Sequence, residues 1–323
     1  MSKPSFQTVL AALSDESTAF PNRYLPLFSD LAPADVSALI SQWPAVTKKR
    51  KRTLLTKLVE LYPSDTLLSF ESLATALLTD PDEQIRVNAL RLLTETQDTH
   101  LLPQLIALAE NDPSEDVKVE AARVLGRFVE LGELEEISAQ ALHKVEETLL
   151  RVVRSETEKA DTQRAALESI SFSSRPEVDT LIQNAFTKHD PKWLASALCA
   201  MGRSASAHWE EDILSMLDDP NDEVRCAAVR AAGELRLDSA RQFLLDMLEE
   251  EEDDETFLAG IWALSQIGGE EVRITLQNML DQTEDEDIIE FLEDAIDNLD
   301  LTDQINAFNL LAIDPDELTD NLN

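Results

Sequence analysis

Glycine is scarce in this chain, with seven in 323 residues, and aromatic residues make up only 5%. A phosphate-cradling loop needs glycines at close spacing, and none is present; a helical protein tolerates the shortage well. Cysteine is scarcer still. Cys199 and Cys226 are the only two, which excludes a disulfide framework and a thiolate-rich zinc site and points to a reducing compartment. No stretch approaches the roughly 18 consecutive apolar residues of a membrane span. Met1 to Leu13 holds one lysine and a short apolar run interrupted by Gln7 and Thr8, without the profile of a signal peptide. The expectation is a soluble, cytoplasmic protein.

Positive charge is the remaining shortage. There are 27 Lys and Arg against 64 Asp and Glu, for a net charge of −37. The imbalance is uneven along the chain. Residues 1–79 carry eight basic and seven acidic residues, whereas Glu249 to Asn323 carries 24 acids against Arg273 alone. A field of that sign repels phosphate backbones and attracts basic proteins, peptides or cations, and salt weakens it. Nucleic acid is therefore an unfavoured partner for the body of the molecule.

What the sequence does have is a repeat. Ala89, Ala121, Ala166, Ala197, Ala228, Gly260 and Leu292 follow one another at intervals of 32, 45, 31, 31, 32 and 32 residues. Each anchor sits in a version of Val-Arg-x-x-Ala-Ala-x-x-Ala-Gly, fullest at Val224 to Gly233, and a second apolar helical stretch follows. Two helices per period of about 32 residues, with no strand signal, predict an all-α solenoid that grows by stacking. First helices are expected to start after Asp80-Pro81-Asp82-Glu83, Asp112-Pro113-Ser114-Glu115 and Asp219-Pro220-Asn221-Asp222. There Asp or Asn caps free amides, Pro suits the first turn and carboxylates complement the helix dipole. Small anchors are expected to let the two helices of one unit approach closely, with Met216, Met247 and Met279 as core filler in the second helices. The 45-residue interval predicts an insertion near residues 131–150 that lengthens a second helix or adds one. Leu54, Leu55, Leu58 and Leu61 mark a degenerate first repeat, which brings the expected total to about eight.

The Asp-Pro-x-x-x-Val-Arg-x-x-Ala-x-x-Ala-Leu-Gly pattern, matched in parts by Asp112 to Gly126 and Asp219 to Gly233, resembles the HEAT-repeat family, in particular its short phycobilisome-lyase-like subgroup. The resemblance implies a right-handed superhelix of HEAT-like hairpins over residues 48–299. Residues 1–47 would form an N-terminal helical cap and residues 300–323 an acidic C-terminal capping segment or tail. It also implies a ladder between units formed by the arginine after the valine, here Arg86, Lys118 and Arg225, with Asp82 and Asp222 as plausible partners for the two arginines. The position is Gln163, Leu194, Phe257 and Ile289 elsewhere.

Enzymatic relatives of such repeats can be compared motif by motif. Di-iron hydroxylases of this fold use His-Glu pairs, but His100, His143, His189 and His208 precede Leu, Lys, Asp and Trp. Glycosylases of this fold would present a basic groove to DNA, contrary to the charge balance. Bilin lyases share the repeat, but no motif here points to a chromophore. Asp281 to Leu292 lacks the glycine at position six and the glutamate at position twelve of an EF-hand loop. No catalytic residue, cofactor or metal ligand is expected.

Candidate interaction residues stand out as departures from the repeat. A stripe that carries Arg91, Arg123, Glu168 and Arg230 turns aromatic at Trp262, with Leu258 one helical turn before it. The pair is either a local repacking against the neighbouring helix or a hydrophobic hot spot for a basic amphipathic partner. The apolar segment Ile305 to Ile313 is expected to cap the last repeat or dock elsewhere, this patch included. Glu249, Glu250, Glu251, Glu252, Asp253, Asp254 and Glu255 form an acidic loop that is either solvated and capping or an electrostatic guide. Lys48, Lys49, Arg50, Lys51 and Arg52 place five cations at a helix start, where the dipole disfavours them. Three readings stand for that basic patch: a solvated face near Glu60 or Asp30, a local anion or RNA site, and contact with the acidic end of a second copy. The functional expectation is a non-enzymatic scaffold or adaptor that binds a basic protein or peptide, with bilin-lyase-type activity and head-to-tail self-assembly as alternatives.

Overall fold

The computed structural model describes residues 4–64 and 67–312, the side chains of residue 64 and of residues 302–312 excepted. Every regular element among these residues is helical. The chain forms two compact units that divide between Ser174 and Arg175.

The first unit opens with α1 (Phe6–Ser14), a 3-10 stretch over Asn22–Phe28 and α2 (Pro33–Gln42). An aromatic cluster holds this end together, with Phe6 and Phe28 edge to face at 5.7 Å and Phe20 6.1 Å from Phe28. Then follow α3 (Lys48–Leu61), α4 (Glu71–Leu77), α5 (Glu83–Arg91), α6 (Leu102–Asn111), α7 (Glu115–Glu133), α8 (Ala139–Val153) and α9 (Ala160–Ile170). The second unit contains α10 (Glu177–Phe186), α11 (Pro191–Arg203), α12 (Glu210–Leu214), α13 (Asp222–Glu234), α14 (Arg241–Met247), α15 (Asp254–Ile267), α16 (Glu270–Gln282) and α17 (Glu286–Ala312).

Within each unit the helices stack as an α-solenoid. The helices that carry the anchors pack on one another in series, α5 on α7 on α9 in the first unit, where α3 of the degenerate first repeat packs on α5, and α11 on α13 on α15 on α17 in the second. Ala89, Ala121, Ala166, Ala197 and Ala228 are all fully buried. Within either compact unit, a helix that lies between two anchor helices packs more closely on the one that follows it than on the one before it. This corrects the expectation that the small anchors serve approach within one unit. A Cβ on Gly260 of α15 would meet the methyl of Met247 at 2.8 Å, and Met247 belongs to the preceding repeat of the same compact unit. The three aligned methionines, Met216, Met247 and Met279, are half-buried.

The long interval is divided between two helices. α7 runs for 19 residues where α13 has 13, and α8 has 15 residues where α14 has 7. Within the segment expected to hold the insertion, near residues 131–150, a turn in which Glu135 has a φ of 60° separates α7 from α8. At the other end, α17 runs on from Glu286 through Ala312, so residues 300–312 continue the last helix. The side chains of Ile305 to Ala312, and Ile313 itself, lie outside the described residues.

Loop acids start the helices as the sequence suggests. Asp82 accepts from Gln84 N at 3.0 Å, Asn221 from Val224 N at 3.2 Å and Asp253 from Thr256 N at 2.8 Å. A second device recurs two residues earlier, where Asp80, Asp112, Asp219 and Glu251 each accept the N–H two positions on. Both devices satisfy amides that the helix start leaves free.

The carboxylate of that second device also closes the ladder. Arg86 donates from Nε and Nη2 to Asp112 at 2.9 and 2.7 Å, and from Nη1 to the Asp80 carbonyl at 2.8 Å. Arg225 repeats the arrangement with Glu251 at 2.7 and 2.8 Å and the Asp219 carbonyl at 2.9 Å, and adds Asp222 at 2.9 Å. Lys118 reaches Glu158 at 2.7 Å. Asp82 is therefore not the partner of Arg86, because the guanidinium points along the stack to the loop of the next repeat. Asp82 instead accepts from Arg52 of the repeat before it at 2.8 to 3.2 Å.

The Arg52 bonds, with Lys48 and the amide of Gln84 adding to them, hold the Asp82 carboxyl down to about 2. A depressed carboxylate contributes stability that is present above its unfolded value of about 4 and is lost as pH falls through its folded value. Asp82→Asn should therefore lower the unfolding free energy by about 1–2 kcal/mol at neutral pH, allowing for solvent screening, with the gap to wild type closing as pH falls toward 2. Urea unfolding of both proteins across that range would show it, and a gap independent of pH would refute the assignment.

Candidate functional site

The acids and the Trp262 patch fall into two different hollows of the second unit. The larger, about 1070 Å³, lies between the loop that precedes α13 and the loop that precedes α15. Asp218, Asp219, Asp222, Asp246 and Glu249 to Asp253 line it, nine carboxylates with Arg225 as the one cation. That cation is already neutralised. Its bidentate bond draws the Glu251 carboxyl below its usual range and raises its own guanidinium further. Phe243 of α14 lines the same hollow and is 38% exposed, although it is large and apolar.

The seven acids of the 249–255 loop thus divide by role. Glu251 is a rung of the ladder, its side chain 6% exposed. Asp253 caps α15 through the amide and hydroxyl of Thr256, which lower its carboxyl. Glu255 pairs with Arg230 at 2.9 Å. Glu249, Glu250, Glu252 and Asp254 are exposed.

The smaller hollow, about 400 Å³, is lined by Leu258 and Trp262 of α15, Phe291 of α17, Arg230 and Glu234 of α13, and Glu255. Leu258, Trp262 and Phe291 are each half-buried. The indole owes its place to a glycine, since a Cβ on Gly233 would lie 2.7 Å from Trp262 Cζ3. The ring therefore packs partly on α13 and keeps one side in the hollow. Glu234 keeps more than a third of its surface open, yet its carboxylate rests against Gly202 of α11, where a Cβ would crowd it. Burial among these helices pushes the Glu234 carboxyl up, with Arg203 and Arg230 opposing the shift.

The basic run is engaged by its own unit. Lys48 and Arg52 meet Asp82 at 3.1 and 2.8 Å. Arg50 donates to the carbonyls of Asp15 and Thr18 at 2.5 and 2.6 Å, and Lys51 lies 5.1 Å from the centre of the Trp43 ring. Lys49 is exposed. The compensating acid is thus Asp82 rather than Glu60 or Asp30, because the first turn of α3 faces the loop before α5.

Phe243, Phe291 and Glu234 were not singled out from the sequence. The criterion that exposed Trp262 would have found two of them. Phe243 stands where the flanking repeats have Asp212 and Thr275, and Phe291 stands where the two preceding repeats have Ala259 and Ala227. Among the described residues, no cluster of three His, Cys, Asp or Glu is placed to hold a metal ion, and no helix is long and apolar enough to cross a membrane.

Stacked helical hairpins, linked by buried arginine–carboxylate rungs, define a helical-repeat scaffold protein. Residues 70–160, 178–257 and 210–296 match the HEAT-repeat family model, more than half of the chain, and the chain belongs to the HEAT-repeat family. No curated protein shows significant similarity to it. Among solved structures it is similar to YibA of Escherichia coli, at 17% identity over 88% of this chain and 99% of the other, with a TM-score of 0.43. It is also similar to the complex of CpcE and CpcF of phycocyanin lyase from Nostoc sp. PCC7120, at 20% identity over 71% and 94%, with a TM-score of 0.46. A designed armadillo repeat protein in complex with the peptide (KR)4 matches at 18% identity over 70% and 98%, with a TM-score of 0.29.

Proposed function

We propose that this protein is a non-enzymatic scaffold or adaptor whose second unit binds a basic segment of another protein. The observation that carries the reading is the larger hollow, with its nine carboxylates and its single, already paired guanidinium. Carboxylates gathered around one concavity reinforce one another within a Debye length of about 10 Å at 0.1 M salt. They raise the local concentration of a cationic partner and speed its arrival. Phe243 in the larger hollow and Leu258 with Trp262 in the smaller one give such a partner apolar footholds, as an amphipathic segment requires. Head-to-tail assembly through the 48–52 run draws less support, because four of its five cations are held by their own chain.

The test is binding of a fluorescein-labelled dodecapeptide of alternating Arg and Leu, followed by anisotropy. Charge reversal at Asp218, Glu249, Glu250 and Glu252 to Lys spares the ladder and the caps. It should weaken binding at least about tenfold while leaving the helical signal and the melting temperature unchanged. Equal binding by the wild-type and reversed proteins would show that the hollow is only a solvated surface.

A further inference from the structure

The smaller hollow combines two features that ask for different partners. Its walls are apolar and aromatic, Leu258, Trp262 and Phe291, yet a carboxylate, Glu234, stands in it with no cation among the described residues bonded to it. The other acid of the rim, Glu255, is taken by Arg230 at 2.9 Å. An apolar side chain alone would fill the walls and leave Glu234 further desolvated, which is unfavourable for a carboxylate. A lysine would reach the carboxylate but, as a compact and strongly hydrated charge, would use the rings poorly. A guanidinium suits both parts, since it is flat enough to lie against an indole and forks onto a carboxylate with two parallel N–H donors.

We propose that this hollow is an arginine-specific subsite, in which an arginine side chain of the partner stacks on Trp262 and donates to Glu234. The inference rests on the reading of the second unit as a binding surface for a basic segment, and names the residue type that the surface selects. Leu258 and Phe291 shield the stacked group from water. Burial raises the Glu234 carboxyl, and Arg203 at the end of α11 and Arg230 one turn earlier on α13 oppose that shift by their charge. Gly233 and Gly202 leave room for the two groups, for a side chain at the first would displace the indole and at the second the carboxylate.

The experiment compares the alternating Arg-Leu dodecapeptide with its Lys-Leu counterpart on the wild-type chain and on Glu234→Gln, Trp262→Phe and Trp262→Ala. The wild type should prefer the arginine peptide by about tenfold, and Glu234→Gln should abolish the preference while binding the lysine peptide almost as before. Trp262→Phe should keep part of the preference and Trp262→Ala none. The ring also packs on α13, so Glu234→Gln, which keeps nearly the same shape, is the decisive variant. If the groove reversal weakens the arginine peptide but Glu234→Gln and Trp262→Phe leave the preference intact, the subsite is refuted and the scaffold reading stands. If neither peptide binds the wild type, both fall together.

Discussion

Arg86→Ala is expected to lower the unfolding free energy by about 3–5 kcal/mol, the cost of leaving a buried carboxylate without its cation. The pair is nearly sealed, with the Arg86 side chain 10% exposed and that of Asp112 5%. Removing the guanidinium breaks both bonds to Asp112 and the bond to the Asp80 carbonyl in one step. Asp112 would keep only the N–H of Ser114. The double replacement Arg86→Met with Asp112→Leu removes both charges and should lose much less, since a buried ion pair and well-packed apolar residues of similar size are nearly equivalent. In a stack stabilised by neighbour contacts, the damage should concentrate between α5 and α7. Urea unfolding gives the total, and amide exchange over α5 to α7 gives the location. A loss below about 1 kcal/mol would mean that the rung is solvated and behaves as a surface pair.

Gly233→Val should destabilise the second unit by about 1–3 kcal/mol or more through overpacking. A Cβ there would lie 2.7 Å from the Ala263 Cα and 2.7 Å from the Trp262 ring. One of these neighbours is backbone, so relief requires α13 and α15 to separate. Gly260→Ala is the informative control, because its added Cβ meets the flexible ends of Met247 and Leu248 at 2.8 and 3.0 Å. Those ends can turn aside, and the loss should be visibly smaller. Thermal unfolding of the two variants orders them, and a Gly233→Val protein as stable as Gly260→Ala would contradict the close approach of α13 and α15. The same separation would spread the walls of the smaller hollow, so Gly233→Val should also weaken the arginine preference.

The helical stack was legible because small residues at intervals of 31 or 32 can only be explained by one helix face packing repeatedly on its neighbours. Helix starts were legible for a local reason, since Asp or Asn before the first turn acts within three residues. The ladder was legible as a device, and Asp222 as one partner of Arg225, but not the acid that closes each rung. Its acid lies 26 residues after Arg86 and Arg225, and 40 after Lys118 where the insertion intervenes. Asp82, nearer in sequence, was the natural guess. The same reach hid the role of Glu251, which reads as one acid in a run of seven and is in fact the counterpart of Asp112. Trp262 was visible as a departure from a polar stripe, but which acids it would join depends on the side of α15 that each loop faces. That placed Glu249 to Asp253 with Phe243, and left Trp262 with Phe291 and Glu234.

The measurement that tests the binding account most directly is calorimetric titration of the full chain with the alternating Arg-Leu dodecapeptide at increasing salt. If the carboxylates of the second unit hold a basic segment, affinity should fall steeply and continuously as salt rises, and the charge-reversed protein should show little binding at any salt. Affinity that does not change with salt, or that survives the reversal, would contradict the account.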